Sequence, residues 1–276
     1  MSMTVRTNVA SMMAQGSLSR TNKNLATSLA RISSGLRINK AADDSAGLGV
    51  ATNLETSVSS TRQAMRNTND GISIIQTAES AANEVTDILQ RMRELAVQSA
   101  SETLDDDERS YIQDEFVQLS EEVERIAQVT EFNGVALTNN TSTQLDVQVG
   151  IQNATTSRIS IDLGDLRATA LGVASSQMAL DSVTSAQEAL EALDTALDSV
   201  NGLRSGLGAV QNRLDSALNN SQVYSEALSS AESSIRDTDF ADETSKLTKY
   251  QIMQQAGVAA LAQAKNINQS VISLLS

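Results

Sequence analysis

Along most of this chain apolar residues return in alternating steps of three and four, the spacing that keeps one stripe of a helix against a partner. Leu18, Leu25, Leu29, Ile32 and Leu36 open the pattern, and Gly35 falls where that helix should bend. A second seam runs through Ile75, Ala78, Ala82, Val85, Leu89, Met92 and Ala96. Beside it Ile74, Ala81, Ile88 and Leu95 form a parallel stripe. A helix with two stripes faces two neighbours, which predicts a bundle of three or more helices. Ile112, Phe116, Leu119, Val123 and Ile126 continue the rule after Leu104-Asp105-Asp106-Asp107-Glu108, whose carboxylates suit a helix N-terminus.

The spacing then changes to alternation. Phe132-Asn133-Gly134 signals a turn, and Leu145, Val147, Val149 and Ile151, then Ile159, Ile161 and Leu163, alternate with polar residues. This predicts a β-hairpin region around 132–165, which needs helices beneath it because an isolated hairpin is unstable in water. Helical spacing resumes at Leu193, Leu197 and Val200. After a one-residue slip at Leu203 it continues through Leu207, Val210, Leu214, Ala217, Ser221, Tyr224, Leu228, Ala231 and Ile235. A helix from Leu180 to Ile235 is about 80 Å long at 1.5 Å per residue. Asp237-Thr238-Asp239 interrupts it, and a last stripe follows at Leu247, Tyr250, Met253, Leu261, Ala264, Ile267, Val271 and Leu274. The expected fold is mainly α: a long coiled-coil helical bundle, a rod, with one small β-hairpin region.

Composition strengthens that expectation. The 276 residues include no Pro, and only three Phe and three Tyr, so nothing breaks long helices and their seams are thin. The absence of His and Cys excludes Ser-His-Asp and Cys-His nucleophiles, imidazole and thiolate metal sites, and disulfides. The four acids after Leu104 lack the alternating spacing and mid-loop Gly of a calcium loop. No catalysis, metal or cofactor is expected, nor any nucleic-acid partner. No stretch of about 18 apolar residues suits a membrane, and the first thirty residues lack the apolar run of a secretory signal.

The net charge of −14 is unevenly placed. Arg6, Arg20, Lys23, Arg31, Arg37 and Lys40 precede the first acid, Asp43, and after Glu243 only Lys246, Lys249 and Lys265 are charged. All 34 acids therefore lie between two acid-free ends. An Arg- and Ser-rich start without acid is also how a mitochondrial presequence is composed, but the matched C-terminal end argues for a shared role. Each end is one amphipathic segment with little apolar surface of its own to pack on. Both ends are expected to order only when other chains arrive, as in the subunit of a polymer.

These residues resemble bacterial flagellin over nearly the whole chain. The resemblance is carried by Asn22 to Leu36, Ser33-Ser34-Gly35-Leu36-Arg37-Ile38-Asn39 and Ala41-Ala42-Asp43-Asp44-Ser45-Ala46-Gly47-Leu48. It continues through Leu89-Gln90-Arg91-Met92-Arg93-Glu94-Leu95-Ala96-Val97-Gln98-Ser99, Phe132-Asn133-Gly134, and the ending from Ala231 through Asp237-Thr238-Asp239-Phe240 to Leu275. It implies a structural subunit that self-assembles into the extracellular flagellar filament for swimming. Residues 1–44 and 235–276 would form a terminal coiled-coil core domain lining the filament lumen, packed through Leu25, Leu29, Ile32, Leu36, Met253, Leu261, Ile267, Val271 and Leu274. Residues 45–234 would form an outer helical domain with the hairpin. The variable outer domains common in the family are absent, since only about fifty residues separate Phe132 from the long returning helix.

The resemblance further implies a homopolymer, export in unfolded form through the flagellar type III apparatus, an export chaperone on the C-terminal segment, and contact with the flagellar cap and hook-associated proteins. It also implies a Toll-like receptor patch at Arg91, Leu95 and Glu115, although Leu95 equally suits bundle packing and Arg91 a pair with Asp87. A hook–filament junction protein is the alternative nearest in kind. A cytoplasmic coiled-coil signalling rod is further off, because it does not require acid-free ends. Asn-X-Ser/Thr triplets at Asn139, Asn140, Asn153, Asn219 and Asn268 arise readily by chance in a chain of this composition.

Overall fold

A computed structural model describes residues 7–139 and 144–273, with 267–273 as backbone. The described chain is mainly helical: α1 (Val9–Ser34), α2 (Ser45–Ser99), α3 (Asp106–Val129), a short α4 (Ala168–Leu171), α5 (Val183–Arg236) and α6 (Phe240–Ser273). The expected β-hairpin region lies between α3 and α5, and among the described residues it comprises two antiparallel hairpins. The first pairs β1 (Glu131–Phe132) with β2 (Val135–Ala136), and the second pairs β3 (Gln144–Gln148) with β4 (Arg158–Asp162). Asn133 and Gly134, with φ of 51° and 78°, make the tight first turn that the Phe-Asn-Gly signal predicts. The chain divides into two compact units, Met1–Thr56 with Ala227–Ser276 and Ser57–Glu226.

In unit Ser57–Glu226 residues of both stripes of α2 share the same cores, and the neighbours change along the helix. Ala82, Val85, Leu89, Met92, Leu95 and Ala96 share a core with Ile112, Phe116 and Val123 of α3 and Ala186, Leu193 and Val200 of α5. Toward the other end of the same helices the β3–β4 hairpin replaces α3: Val147, Ile159, Ile161 and Leu163 pack with Ile75, Ala78, Leu207 and Leu214. Gly71 permits this approach, since a Cβ there would stand 3.0 Å from Val147 Cγ2. Hairpin register puts Leu145 opposite Ile161 and Val147 opposite Ile159, so the alternation buries one face. The slip expected at Leu203 is absent. Buried Ala196, not half-buried Leu197, continues the stripe, and 193, 196, 200, 203 and 207 then run in unbroken steps of three and four. Tyr224 and Ala231 also turn outward, and Ser225 and Glu232 take the inward positions.

The turn between α2 and α3 is held by a buried cation. Arg109, 6 % exposed, donates through Nη1 to the Ser99 carbonyl and through Nη2 to those of Ser101 (2.9 Å) and Leu104 (3.1 Å). Asp105 caps α3 by accepting from the Glu108 amide, and Glu108 answers at the Asp105 amide, completing a capping box.

In the terminal unit α1 and α6 lie antiparallel on one another. Asn8 Nδ2 donates to the Ala264 carbonyl (2.9 Å), a Cβ on Gly257 would meet Leu18 at 3.2 Å, Gln254 bonds Asn22, and Leu36 bridges Asp237. The expectation that the ends lack a partner within one chain is therefore corrected. Small and polar residues such as Thr21, Ser28 and Gly257 let the two helix backbones approach, so α1 and α6 supply each other's partner.

Candidate assembly surface

Because thin seams bury only one stripe each, the pairing of α1 with α6 leaves apolar side chains on the remaining faces. Val9, Met12, Met13 and Leu29 of α1 and Phe240, Ile252, Met253 and Val258 of α6 are all exposed. Ile252 is 61 % exposed and, two positions beyond inward-facing Tyr250, points away from the α1 contact. Of the residues expected to pack a filament core, Leu25, Ile32, Leu36 and Leu261 are half-buried, whereas Leu29 and Met253 face out. Leu29 leaves the seam because Ser28 takes the inward position next to it. Ile267 and Val271 lie on α6 with side chains outside the described residues, and Leu274 lies outside them altogether. Apolar side chains exposed this densely on one helical pair mark a surface that another protein surface covers.

The run from Ser33 to Leu48 ties the helix ends together. Gly35 closes α1 in the left-handed conformation at φ 74° and donates to the Arg31 carbonyl. The Arg37 amide then reaches the Arg236 carbonyl, Thr238 N reaches Gly35 O, and the Arg37 guanidinium binds Ile235 O. Asp43 accepts from the amides of Lys40 (3.0 Å) and Asn39 (3.2 Å), bonds that hold its carboxyl below the usual carboxylate range. Asp44 accepts from Gly47 N at the start of α2. Buried Glu243 stands 3.9 Å from Arg31 and 3.7 Å from Lys246, placing an ion pair in the α1–α6 contact.

Of the three residues of the expected receptor patch, two are joined at the surface and the third lies in the core. Arg91 and Glu115 are half-exposed and joined: Nη2 stands 2.8 Å from Glu115 Oε1, while Nη1 binds Glu94 at 3.0 Å. These carboxylates, Glu115 first, raise the Arg91 pKa. The partner expected from sequence, Asp87, is not the one used. Leu95 is 2 % exposed in the helical core. Arg93 makes a similar tie to Asp194 on α5 (2.6 Å), which depresses the aspartate's pKa. Among the described residues no cluster of acids suits a metal ion, and no helix is long and apolar enough to cross a membrane.

A family model described as the bacterial flagellin N-terminal helical region matches residues 5–143, and one described as the bacterial flagellin C-terminal helical region matches residues 190–275. A flagellin of Halalkalibacterium halodurans is 42 % identical over 245 residues, 89 % of this chain and 89 % of the relative. Flagellin FlaB2 of Treponema pallidum is 39 % identical over 289 aligned residues, covering 99 % of this chain and all of the relative. The crystal structure of Bacillus cereus flagellin superposes with a TM-score of 0.50 at 30 % identity, covering 56 % of this chain and 88 % of that one.

Proposed function

The chain belongs to the bacterial flagellin family and is a structural subunit of a flagellar filament, not an enzyme; from that premise we propose how its parts divide the work. Residues 1–44 and 235–276 form the inner core that lines the lumen, and 45–234 form the surrounding tube. The observation that carries this division is the exposed apolar set on α1 and α6, above all Met12, Leu29, Ile252 and Met253. In a free subunit these side chains meet water. In a homopolymer each is covered by a neighbouring copy, and the apolar area removed from water drives assembly at about 25 cal/mol per Å². The middle segment, which holds most of the acids, stays on the wetted side.

The filament stands outside the cell, and we assign delivery to export of the unfolded chain through the flagellar type III apparatus. An export chaperone that covers the C-terminal segment beforehand would mask the α6 face that otherwise self-associates, and cap and hook-associated proteins would meet the same terminal helices at the filament ends. Arg91 and Glu115 form the patch offered to a Toll-like receptor, with Leu95 supporting it from the core. Support for this assignment is the half-exposure of the Arg91–Glu115 pair. A reporter-cell assay with Arg91→Ala and Glu115→Ala tests it: both variants lose activation while keeping wild-type far-UV spectra, and undiminished activation refutes it.

The test of the assembly reading is polymerisation of full-length protein against a chain limited to residues 45–234. The full chain forms filaments and the shorter one remains a helical monomer. Equal polymerisation of the two removes the terminal helices from the assembly role.

A further inference from the structure

Unit Ser57–Glu226 has opposite chemical characters at its two ends. At one end α2, α5 and the tip of the β3–β4 hairpin enclose an open groove of about 810 Å³. Thr61 and Ala64 form one wall, Ala217, Ser221 and Tyr224 another, and Val149–Gln152 with Thr155–Ile159 the third. In a chain of net charge −14 this groove is lined by two arginines and no acid. Arg213 is exposed, and among the described residues no carboxylate pairs with it. Arg158 is held by the neutral oxygens of Gln148 (3.1 Å) and Asn153 (2.9 Å), which orient its guanidinium without cancelling its charge. Arg62 and Arg66, exposed on α2 beside the same wall, add to the positive field.

At the other end stands the turn that Arg109 fastens. Glu102, Asp106 and Asp107 are exposed there without a cation partner among the described residues, and Arg109 beneath them is spent on carbonyls. Residues 64 and 99 of α2 are about 50 Å apart at 1.5 Å per residue, so within one chain the acidic turn does not reach the groove. A second copy brings the two together.

We propose that the groove seats the acidic turn 102–107 of a second copy, with Asp106 and Asp107 meeting Arg213 and Arg158. The contact joins unlike surfaces, head to tail, and so repeats without closing into a ring, which is the geometry an open filament needs. Ion pairs at such a rim contribute modestly to affinity, but they select one register among the alternatives when long helical units slide past one another. This inference rests on the homopolymer reading above and adds to it a defined contact in the outer tube.

The chain lacks cysteine, so introduced thiols report the contact without background. Full-length protein carrying both Asp106→Cys and Ser221→Cys is polymerised and treated with a short bis-maleimide. A ladder of covalent multimers is expected on a denaturing gel, because every copy both donates and accepts. Each single variant gives no ladder, and an equimolar mixture of the two gives dimers at most. Filaments of the double variant without a ladder overturn the docking and leave the assembly reading standing. Failure of the wild-type chain to form filaments overturns both. Should the cysteine pair itself hinder polymerisation, charge exchange decides. Arg213→Glu alone and Asp106→Lys with Asp107→Lys each raise the critical concentration about tenfold, and combining them restores it to within about threefold. Unchanged critical concentrations, or a combination no better than its parts, overturn the proposal.

Discussion

Replacing Arg109 with Met removes the fastening of the α2–α3 turn while keeping a stem of similar length in the core. Three carbonyls lose their donor, of which that of buried Ser99 has no easy recourse to water, whereas Ser101 and Leu104 lie nearer the surface. A bond from a charged donor to a buried carbonyl is worth about 2 kcal/mol and each half-exposed one about 0.5 kcal/mol. Relief of burying a guanidinium offsets part of the sum, leaving a loss of about 2 kcal/mol. Hydrogen exchange in the full-length protein reads this directly. Amides of α3 should open about 30-fold more often in the variant, since 1.4 kcal/mol is a factor of ten. Arg109→Lys, a point donor in place of a fork, recovers less than half of the loss. Exposed Arg125, paired with Glu122, is the control, and Arg125→Met changes exchange little. Protection of α3 within threefold of wild type in Arg109→Met would refute the idea that this cation organises the turn.

Three other outcomes are expected. Ile252→Asp leaves the far-UV spectrum of the monomer unchanged, because residue 252 points to water, but raises the critical concentration by at least about 100-fold, since an unpaired charge buried between copies costs about 3 kcal/mol or more; sedimentation of polymer checks it. Leu95→Ala costs about 2–5 kcal/mol in urea unfolding, as befits a fully packed leucine. Stability is expected to fall with acid. Asp43, Asp165, Asp194 and Glu122 all have folded pKa values below the ordinary 3.8 and 4.5, so their contribution is complete above about pH 5, and protonation removes it as the pH falls below 4. A series of thermal melts from pH 7 to pH 3 should show a plateau and then a decline, and Asp165→Asn, which breaks its pair with Arg167, should make the decline shallower.

The helical seams were legible in the sequence because steps of three and four survive whichever partner covers them. Ile75 to Ala96 is the clearest example, and every residue of that stripe is buried. Errors arose where an apolar residue stands one position from the true seam. Leu197, Leu29 and Tyr224 attract attention by hydrophobicity, but the inward positions belong to Ala196, Ser28 and Ser225, whose small size lets helices approach. The self-pairing of α1 with α6 was hidden for the same reason, since Thr21, Ser28 and Gly257 carry no apolar signal. Arg109 gave no signal at all: an arginine in an acidic, exposed-looking turn reads as a surface charge until its carbonyl partners are seen. Neither the groove nor its separation from the acidic turn has a local sequence signature, because three elements distant in sequence build its walls.

The central claim is that the faces of α1 and α6 left bare in one subunit are covered by other copies in the polymer. Helical reconstruction by electron cryomicroscopy of filaments grown from the full-length chain tests it most directly. The account predicts that Met12, Leu29, Ile252 and Met253 lie in contacts between copies around the lumen. Filaments in which these four side chains remain against water, with the subunits joined through residues 57–226 alone, would contradict it.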